Sequence, residues 1–246
     1  MLKTFINGIG GKMGSEVANL VLKEHDFQLL GGLDHSPCSN NSYPIFSDIN
    51  SLSEIPDVII DFSAPEATIA ILPYCISNHV PIVIATTGFS KEQQDIIKNA
   101  SLQIPIFQSS NMSYEINLLS HIVSELSQKL PEADIEIVET HHNQKKDSPS
   151  GTALLLADSI NHANSDVYLY ELNRMQKQEK RNSKEIGFSS IRGGNIVGEH
   201  SVFFFSSNET LEVKHTAHSR TVFAEGSIKA AKFLVKQKSG LYSIIN

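Results

Sequence analysis

The run Leu2-Lys-Thr-Phe-Ile-Asn-Gly-Ile-Gly-Gly-Lys-Met-Gly14 joins a strand-like segment to a glycine-rich turn. Its first part, residues 3–7, reads as a β-strand, and residues 12–24 read as an amphipathic helix. Gly8, Gly10, Gly11 and Gly14 bridge the two. Glycine there permits positive φ in a tight turn and lets the backbone approach a pyrophosphate closely. The helix that follows opens with N–H groups lacking intrahelical acceptors and with partial positive charge. The spacing departs from G-x-G-x-x-G, because the last glycine falls one residue late. Working outward, short apolar runs at 27–33, 57–62, 82–85 and 104–108 predict further strands, and 65–78 and 91–100 predict helices between them. Pro65 suits a first helical turn, where a missing N–H is no loss. This alternation predicts βαβ units and a Rossmann-type, doubly wound parallel sheet over residues 1–111, with ligands at the carboxyl ends of its strands.

Beyond Asn111 the pattern changes. Helices are predicted over 112–129 and 152–163, and strands over 134–139, 187–192, 201–205 and 209–215. In the last of these Leu211, Val213 and His215 share one face, and Thr210, Glu212 and Lys214 the other. Strands with few helices between them predict a second, α+β domain with an open mixed or antiparallel sheet over 112–220. A final helix over 221–237 is predicted to stop near Gly240. The polar segment 171–184, with Arg174, Lys177, Lys180 and Arg181, reads as a solvated loop or frayed helix.

The 246 residues suffice for one large domain or two small ones, and 40% hydrophobic with 19% charged residues is ordinary for a soluble globular protein. A net charge of −7 gives no global attraction to nucleic acid or anionic membranes, so an anionic ligand must be captured locally. Cys38 and Cys75 form neither a metal-spaced pair nor a disulfide framework. Met1 leads straight into the first strand, and no apolar run approaches a membrane span, which predicts a cytoplasmic protein.

Three further segments bear on a dinucleotide. Asp34 ends the second predicted strand, where a carboxylate can accept hydrogen bonds from ribose hydroxyls. It would repel a 2′-phosphate, and the adjacent His35 is mostly neutral near pH 7, so NADH should serve at least as well as NADPH. Ala85-Thr86-Thr87-Gly88 and Ser109-Ser110-Asn111-Met112 close two later strands. Their small residues can admit a flat nicotinamide ring, and their amides and hydroxyls can orient its carboxamide.

The second functional stretch is Glu139-Thr-His-His-Asn-Gln-Lys-Lys-Asp-Ser-Pro-Ser-Gly-Thr-Ala153. His141 and His142 follow a strand and should point to opposite sides. Lys145 supplies a cation, and Ser150-Gly151-Thr152 opens a helix whose first amides suit a carboxylate. No accompanying ligand set suggests a metal. Proton donors, cations and a helix terminus together suit an anionic small molecule that must be held and protonated. With the dinucleotide loop they read as a reductase.

These motifs resemble the dihydrodipicolinate reductase family, the 4-hydroxy-tetrahydrodipicolinate reductases of diaminopimelate and lysine biosynthesis. Its patterns G-x-x-G-[RK]-M-G and E-x-H-H-x-x-K-x-D-x-P-S-G-T-A are both present, and Arg192–His200 and His215–Ala224 are similar too. The resemblance implies that the C-terminal region, about 221–246, completes the nucleotide-binding domain, and that residues 112–220 bind substrate and assemble a homotetramer. It implies NADH and/or NADPH as hydride donor to a cyclic, conjugated imine dicarboxylate. Gly8, Ile9, Gly10, Gly11, Lys12, Met13, Asp34, Ala85, Thr86, Thr87, Ser109, Ser110, Asn111 and Met112 would contact the cofactor. His141 and Lys145 would donate protons, and His142, Ser150, Gly151 and Thr152 would bind substrate. Since hydride donor and acid would lie on different domains, closure of one on the other is expected. Two positions depart from the family: His35 stands where many members have arginine, and Ala85 where glycine is common. The competing readings are an amino- or imino-acid dehydrogenase such as an aspartate dehydrogenase, and a dinucleotide-sensing regulator without activity.

Overall fold

The structure is a computed structural model that describes residues 1–34 and 43–243; His35 and Cys38 lie outside the described residues. It divides into two compact units, Met1–Ser113 with Arg220–Asn246, and Tyr114–Ser219.

The first unit opens with β1 (Leu2–Asn7), α1 (Lys12–Val21), β2 (Phe27–Leu33), β3 (Ile45–Phe46), β4 (Val58–Asp61), α2 (Pro65–Ser77), β5 (Ile82–Ile84), α3 (Lys91–Ser101) and β6 (Pro105–Gln108). The strands are all parallel, in the order β3-β2-β1-β4-β5-β6. The order reverses between β1 and β4, and Gly8 begins the turn at the carboxyl end of β1. The helix α1 buries Gly14, Val17, Ala18 and Val21, one stripe at helical spacing. It stops three residues before the predicted Glu24, because Lys23 and Glu24 donate to the carbonyls of Leu20 and Val21 in a tightened last turn. Pro65 does occupy the first turn of α2. A capping box starts α3: Ser90 Oγ accepts from Gln93 N–H at 3.3 Å, and Gln93 Oε1 accepts from Ser90 N–H at 2.8 Å.

The second unit contains α4 (Tyr114–Lys129), β7 (Asp134–His141), α5 (Gly151–Ala163), β8 (Leu169–Glu171), β9 (Glu185–Arg192), β10 (Gly198–Phe205) and β11 (Thr210–Ala217). Its sheet order is β11-β10-β7-β9-β8, antiparallel across β10 and parallel from β7 to β8. The sheet is therefore mixed. Ile135, Ile137, Ile186, Val202 and Phe204 pack on Ile116, Leu119 and Val123 of α4 and on Leu156, Ala157 and Ile160 of α5. The predicted start of α4 at Met112 is two residues early: Ser109 Oγ donates to Asn111 O at 2.7 Å and Asn111 Oδ1 accepts from Ser113 N–H at 2.8 Å, which holds 109–113 as a turn.

The chain then re-enters the first sheet with α6 (Thr221–Leu234) and β12 (Gly240–Tyr242), the latter paired parallel to β6. Gly240 thus begins a strand and does not merely end a helix. The strands of this sheet alternate between two apolar faces. Ile6, Ile60, Val83 and Phe107 meet α1 and α6, while Phe5, Ile59, Ile82, Ile84 and Ile106 meet α2 and α3. Burial on both faces explains why these strands read as nearly continuous apolar runs. Each such side chain contributes on the order of 1.5–3 kcal/mol.

The segment 171–184 is not simply solvated. Arg181 is only 17% exposed in its side chain, pairs with Asp134 and Glu136, and donates to the carbonyls of Ile135 (2.8 Å) and Glu185 (2.5 Å). It pins the segment to the ends of β7 and β9.

Candidate active site

In the first unit the turn after β1 is built on close approach. Gly8 has φ +80°, and a Cβ on Gly14 would stand 2.0 Å from the Gly8 carbonyl oxygen. Only glycine satisfies either position. The loop amides are mostly consumed internally: Gly8 and Ile9 donate to the Leu33 carbonyl at 2.9 and 3.3 Å, and Gly11 to that of Gly8 at 3.1 Å. Gly10 N–H donates to Asp34 Oδ2 at 2.9 Å. The donors left for a phosphate belong to the first turn of α1, at Lys12, Met13 and Gly14, which have no acceptor within their own helix. Lys12 is exposed there, whereas Met13 leans on the core and Ile9 is buried within it.

A cavity of about 720 Å³ opens beside this turn, lined among others by Gly8, Gly11, Asp34, Phe62, Ser63 and Ala64. A glycine turn, a helix amino end and a carboxylate at the next strand end fit the phosphates and ribose of a dinucleotide.

Beneath the cavity floor lies a carboxylate. Asp61, at the end of β4, is fully buried and accepts four hydrogen bonds: from Asn7 Nδ2 (2.9 Å), Ser63 Oγ (2.5 Å), Thr68 Oγ1 (2.5 Å) and Thr86 Oγ1 (3.0 Å). Burial pushes its pKa up, and the four donors oppose that shift. Thr86 also accepts from Ser63 N–H at 3.0 Å, so its hydroxyl hydrogen and one lone pair are engaged in this network. Ala85 is half-buried against the core, and Thr87 and Ser110 are exposed. Asn111 is buried in the 109–113 turn. Met112 is a core residue whose side chain packs in the first unit's apolar cluster, and its carbonyl lies 1.8 Å from where a Cβ on Gly226 of α6 would stand.

In the second unit β7 runs on through His141, two residues past the predicted end. Its alternation places Ile135, Ile137, Glu139 and His141 on the buried face. His141 is 7% exposed, and its Nδ1 lies 2.5 Å from Glu139 Oε2. Glu139 also receives the guanidinium of Arg192 at 2.7 and 2.8 Å, and the N–H of Ser150 at 3.2 Å. Burial resists ionisation of Glu139, but the hydrogen bonds from His141, Arg192 and Ser190 prevail and hold it well below the usual carboxylate range.

A second imidazole stands against the first. His200 on β10 meets His141 edge to face, with centroids 5.0 Å apart, and its Nε2 lies 2.9 Å from Ser150 Oγ. Burial, reinforced by the charge of His141, drives the His200 pKa down to about 3, so it stays neutral. Ser150 caps α5, its Oγ accepting from Ala153 N–H at 3.2 Å. Gly151 is exposed at the first position of α5, with nothing within 4 Å of a Cβ built there, and Thr152 is half-buried behind it. Lys145 is half-buried and pairs with Asp147 at 2.9 Å; His142 is half-buried. The fold thus gathers His141, Ser150 and the amino end of α5 around Glu139.

Three participants had no assigned role in the sequence reading: Glu139, Arg192 and His200. The strand period of two links Glu139 to His141 and was a usable signal. Arg192 and His200 arrive through strand pairing, His141 with Arg192 and Glu139 with His200. The segment Arg192–His200 stands out for its resemblance to the family, but nothing local in it announces that pairing. Asp61 carried a faint signal, an acid closing the apolar run Val58-Ile-Ile.

Comparisons with known proteins agree across the chain. The family described as Dihydrodipicolinate reductase, N-terminus, matches residues 2–112, and that described as Dihydrodipicolinate reductase, C-terminus, matches 115–246. A 4-hydroxy-tetrahydrodipicolinate reductase of Caldanaerobacter subterraneus subsp. tengcongensis is 45% identical over 99% of this chain and 97% of its own length. One from Clostridium tetani is 43% identical over 99% of this chain and 96% of its own. Among solved structures, a dipicolinate-bound dihydrodipicolinate reductase from Paenisporosarcina sp. TG-14 superimposes with a TM-score of 0.81 at 24% identity, covering 99% of this chain and 97% of that one. An aspartate dehydrogenase from Thermotoga maritima shares the fold more distantly, with a TM-score of 0.55 at 12% identity over 95% of this chain and 97% of its own. With both halves matched and such identity sustained end to end, the chain belongs to the dihydrodipicolinate reductase family of oxidoreductases.

Proposed function

We propose that this chain reduces 4-hydroxy-tetrahydrodipicolinate, by way of dihydrodipicolinate, to tetrahydrodipicolinate, using NADH and/or NADPH. The observation that carries the reading is the buried His141–Glu139 pair set beside the capped amino end of α5. When bound, the reduced nicotinamide supplies the hydride. The first-turn amides of α1 hold the pyrophosphate, and Asp34 exchanges its bond from Gly10 for one from a ribose hydroxyl. Asp34 also disfavours a 2′-phosphate electrostatically, so NADH is used at least as well as NADPH. The amides of Gly151 and Thr152, with Lys145 and His142, hold the substrate carboxylates. Orientation of this kind can contribute on the order of 7–11 kcal/mol. His141 Nε2 or Lys145 Nζ then delivers the proton that quenches the electron density created on the ring. The protein works in the cytoplasm as a homotetramer. Association of copies is supported by the sheet face opposite α4 and α5, where Phe203 and Phe205 stack at 5.5 Å and Ile191 is 51% exposed.

A coupled assay tests the reading. The heterocycle is generated by its synthase, and loss of reduced-nucleotide absorbance is followed with each nucleotide. We expect oxidation that requires the heterocycle; none with either nucleotide would overturn the proposal. His141→Gln should lower kcat by about 10²–10⁴-fold with NADH affinity unchanged. Lys145→Ala should damage both KM and kcat, and wild-type kinetics from it would reduce that lysine to a partner of Asp147.

A further inference from the structure

We infer that Glu139 is the positioning residue of the site: clamped by Arg192 and the Ser150 amide, it fixes His141 with hydrogen on Nδ1 and turns Nε2 toward the substrate. The inference rests on the proposed proton role of His141.

The donor inventory around Glu139 carries the argument. A guanidinium has no acceptor, and a backbone N–H can only donate. Arg192 occupies both oxygens of Glu139, at 2.8 Å on Oε2 and 2.7 Å on Oε1, and Ser150 N–H adds a third donor on Oε1 at 3.2 Å. The carboxylate therefore meets His141 Nδ1, at 2.5 Å, as an acceptor, and the imidazole must bring the hydrogen. In the neutral ring that leaves Nε2 with a lone pair, and in the charged ring it leaves Nε2 as the donor. Either way the exchangeable proton of the reaction is confined to Nε2. Arg192 has already neutralised Glu139, so a proton gained by His141 is a net positive charge available to an anionic ligand.

Two neighbours keep Nε2 available. His200, which could have shared the proton, has its Nε2 engaged with Ser150 Oγ at 2.9 Å. Next to both rings stands Gly198, where a Cβ would lie 3.0 Å from His141 Nε2 and 3.7 Å from His200 Cε1, so any side chain there would crowd Nε2.

Nitrogen-15 correlation spectra of histidine-labelled enzyme, together with steady-state kinetics, test this. In the wild-type protein the neutral His141 ring should show the Nδ1–H tautomer, and an Nε2–H tautomer overturns the inference. In Glu139→Gln the amide oxygen is claimed by Arg192, which leaves the NH₂ facing Nδ1. The ring hydrogen should then move to Nε2, and kcat should fall by at least about 10²-fold while NADH affinity, read by fluorescence titration, stays within about twofold. The double variant Glu139→Gln with His141→Gln should be no slower than His141→Gln alone, because the two act as one unit. Full turnover in Glu139→Gln alongside loss in His141→Gln overturns the positioning role alone. Full turnover in His141→Gln overturns the proton role itself, while the spectra still judge the tautomer. Should Glu139→Gln not fold, Gly198→Ala decides: we expect the wild-type tautomer with kcat reduced about tenfold or more, and unchanged kcat overturns the claim that Nε2 is the working atom.

Discussion

Gly14 shows how little room single residues have in the nucleotide unit. A methyl there meets the Gly8 carbonyl oxygen at 2.0 Å, and that oxygen belongs to backbone that cannot swing aside. Gly14→Ala should therefore shift β1 against α1 and destabilise the protein by about 1–3 kcal/mol or more, seen as a lowered midpoint in urea unfolding. An unchanged midpoint would mean the turn can relax without cost. At this scale much was legible: glycines after a strand, an aspartate one strand later, and a His-His pair before a Ser-Gly-Thr turn. The role of each was less so. Thr86 looks like a loop hydroxyl offered to a ligand until Asp61 is seen to claim it. Ile9 and Met112 lie within binding motifs, yet both side chains are core.

Helices and long strands were recovered close to their observed bounds because their apolar periods are strong. The short strands β3, β8 and β12 were not, since two or three residues contain no period. They exist because a neighbouring strand offers them a ladder. The 171–184 segment went wrong for a related reason: a cationic run is usually solvated, and only tertiary contacts reveal that Arg181 is anchored. Arg181→Ala should release the carbonyls of Ile135 and Glu185 and the carboxylates of Asp134 and Glu136. We expect faster hydrogen exchange across 171–184 with little change in α6. Protection equal to wild type would show that the segment is held by other contacts.

For the whole molecule, the buried neutral His200 ties stability to pH. Its folded pKa, about 3, lies below the ordinary value of 6.5, so between these limits the unfolded chain binds a proton that the native state does not. Stability from this group is complete above about pH 6.5 and is lost as pH falls toward 3, with a slope of up to about 1.4 kcal/mol per pH unit. Glu139, whose folded pKa is depressed, adds to the same acid-side loss at lower pH, as it protonates. The thermal midpoint should therefore fall between pH 6.5 and 4, and His200→Asn should flatten that fall; an equally steep profile in the variant would remove His200 as the cause. Assembly is tested at the same scale. If copies associate through the face bearing Phe203, Phe205 and Ile191, then Phe205→Glu should shift sedimentation toward smaller species. An unaltered distribution would place any contact elsewhere.

The chain of residues alone determined the architecture and the kind of chemistry, because alternation, helical stripes, glycine turns and a dense acid–cation motif are local properties of neighbours in sequence. Tertiary structure alone decided which atoms of those motifs are available. Loop amides were spent on Leu33 and Gly8, Thr86 on Asp61, and Glu139 was delivered to Arg192 and His141. Such assignments depend on partners up to 53 positions away, which meet only when strands pair and buried polar groups compete for a limited set of donors and acceptors.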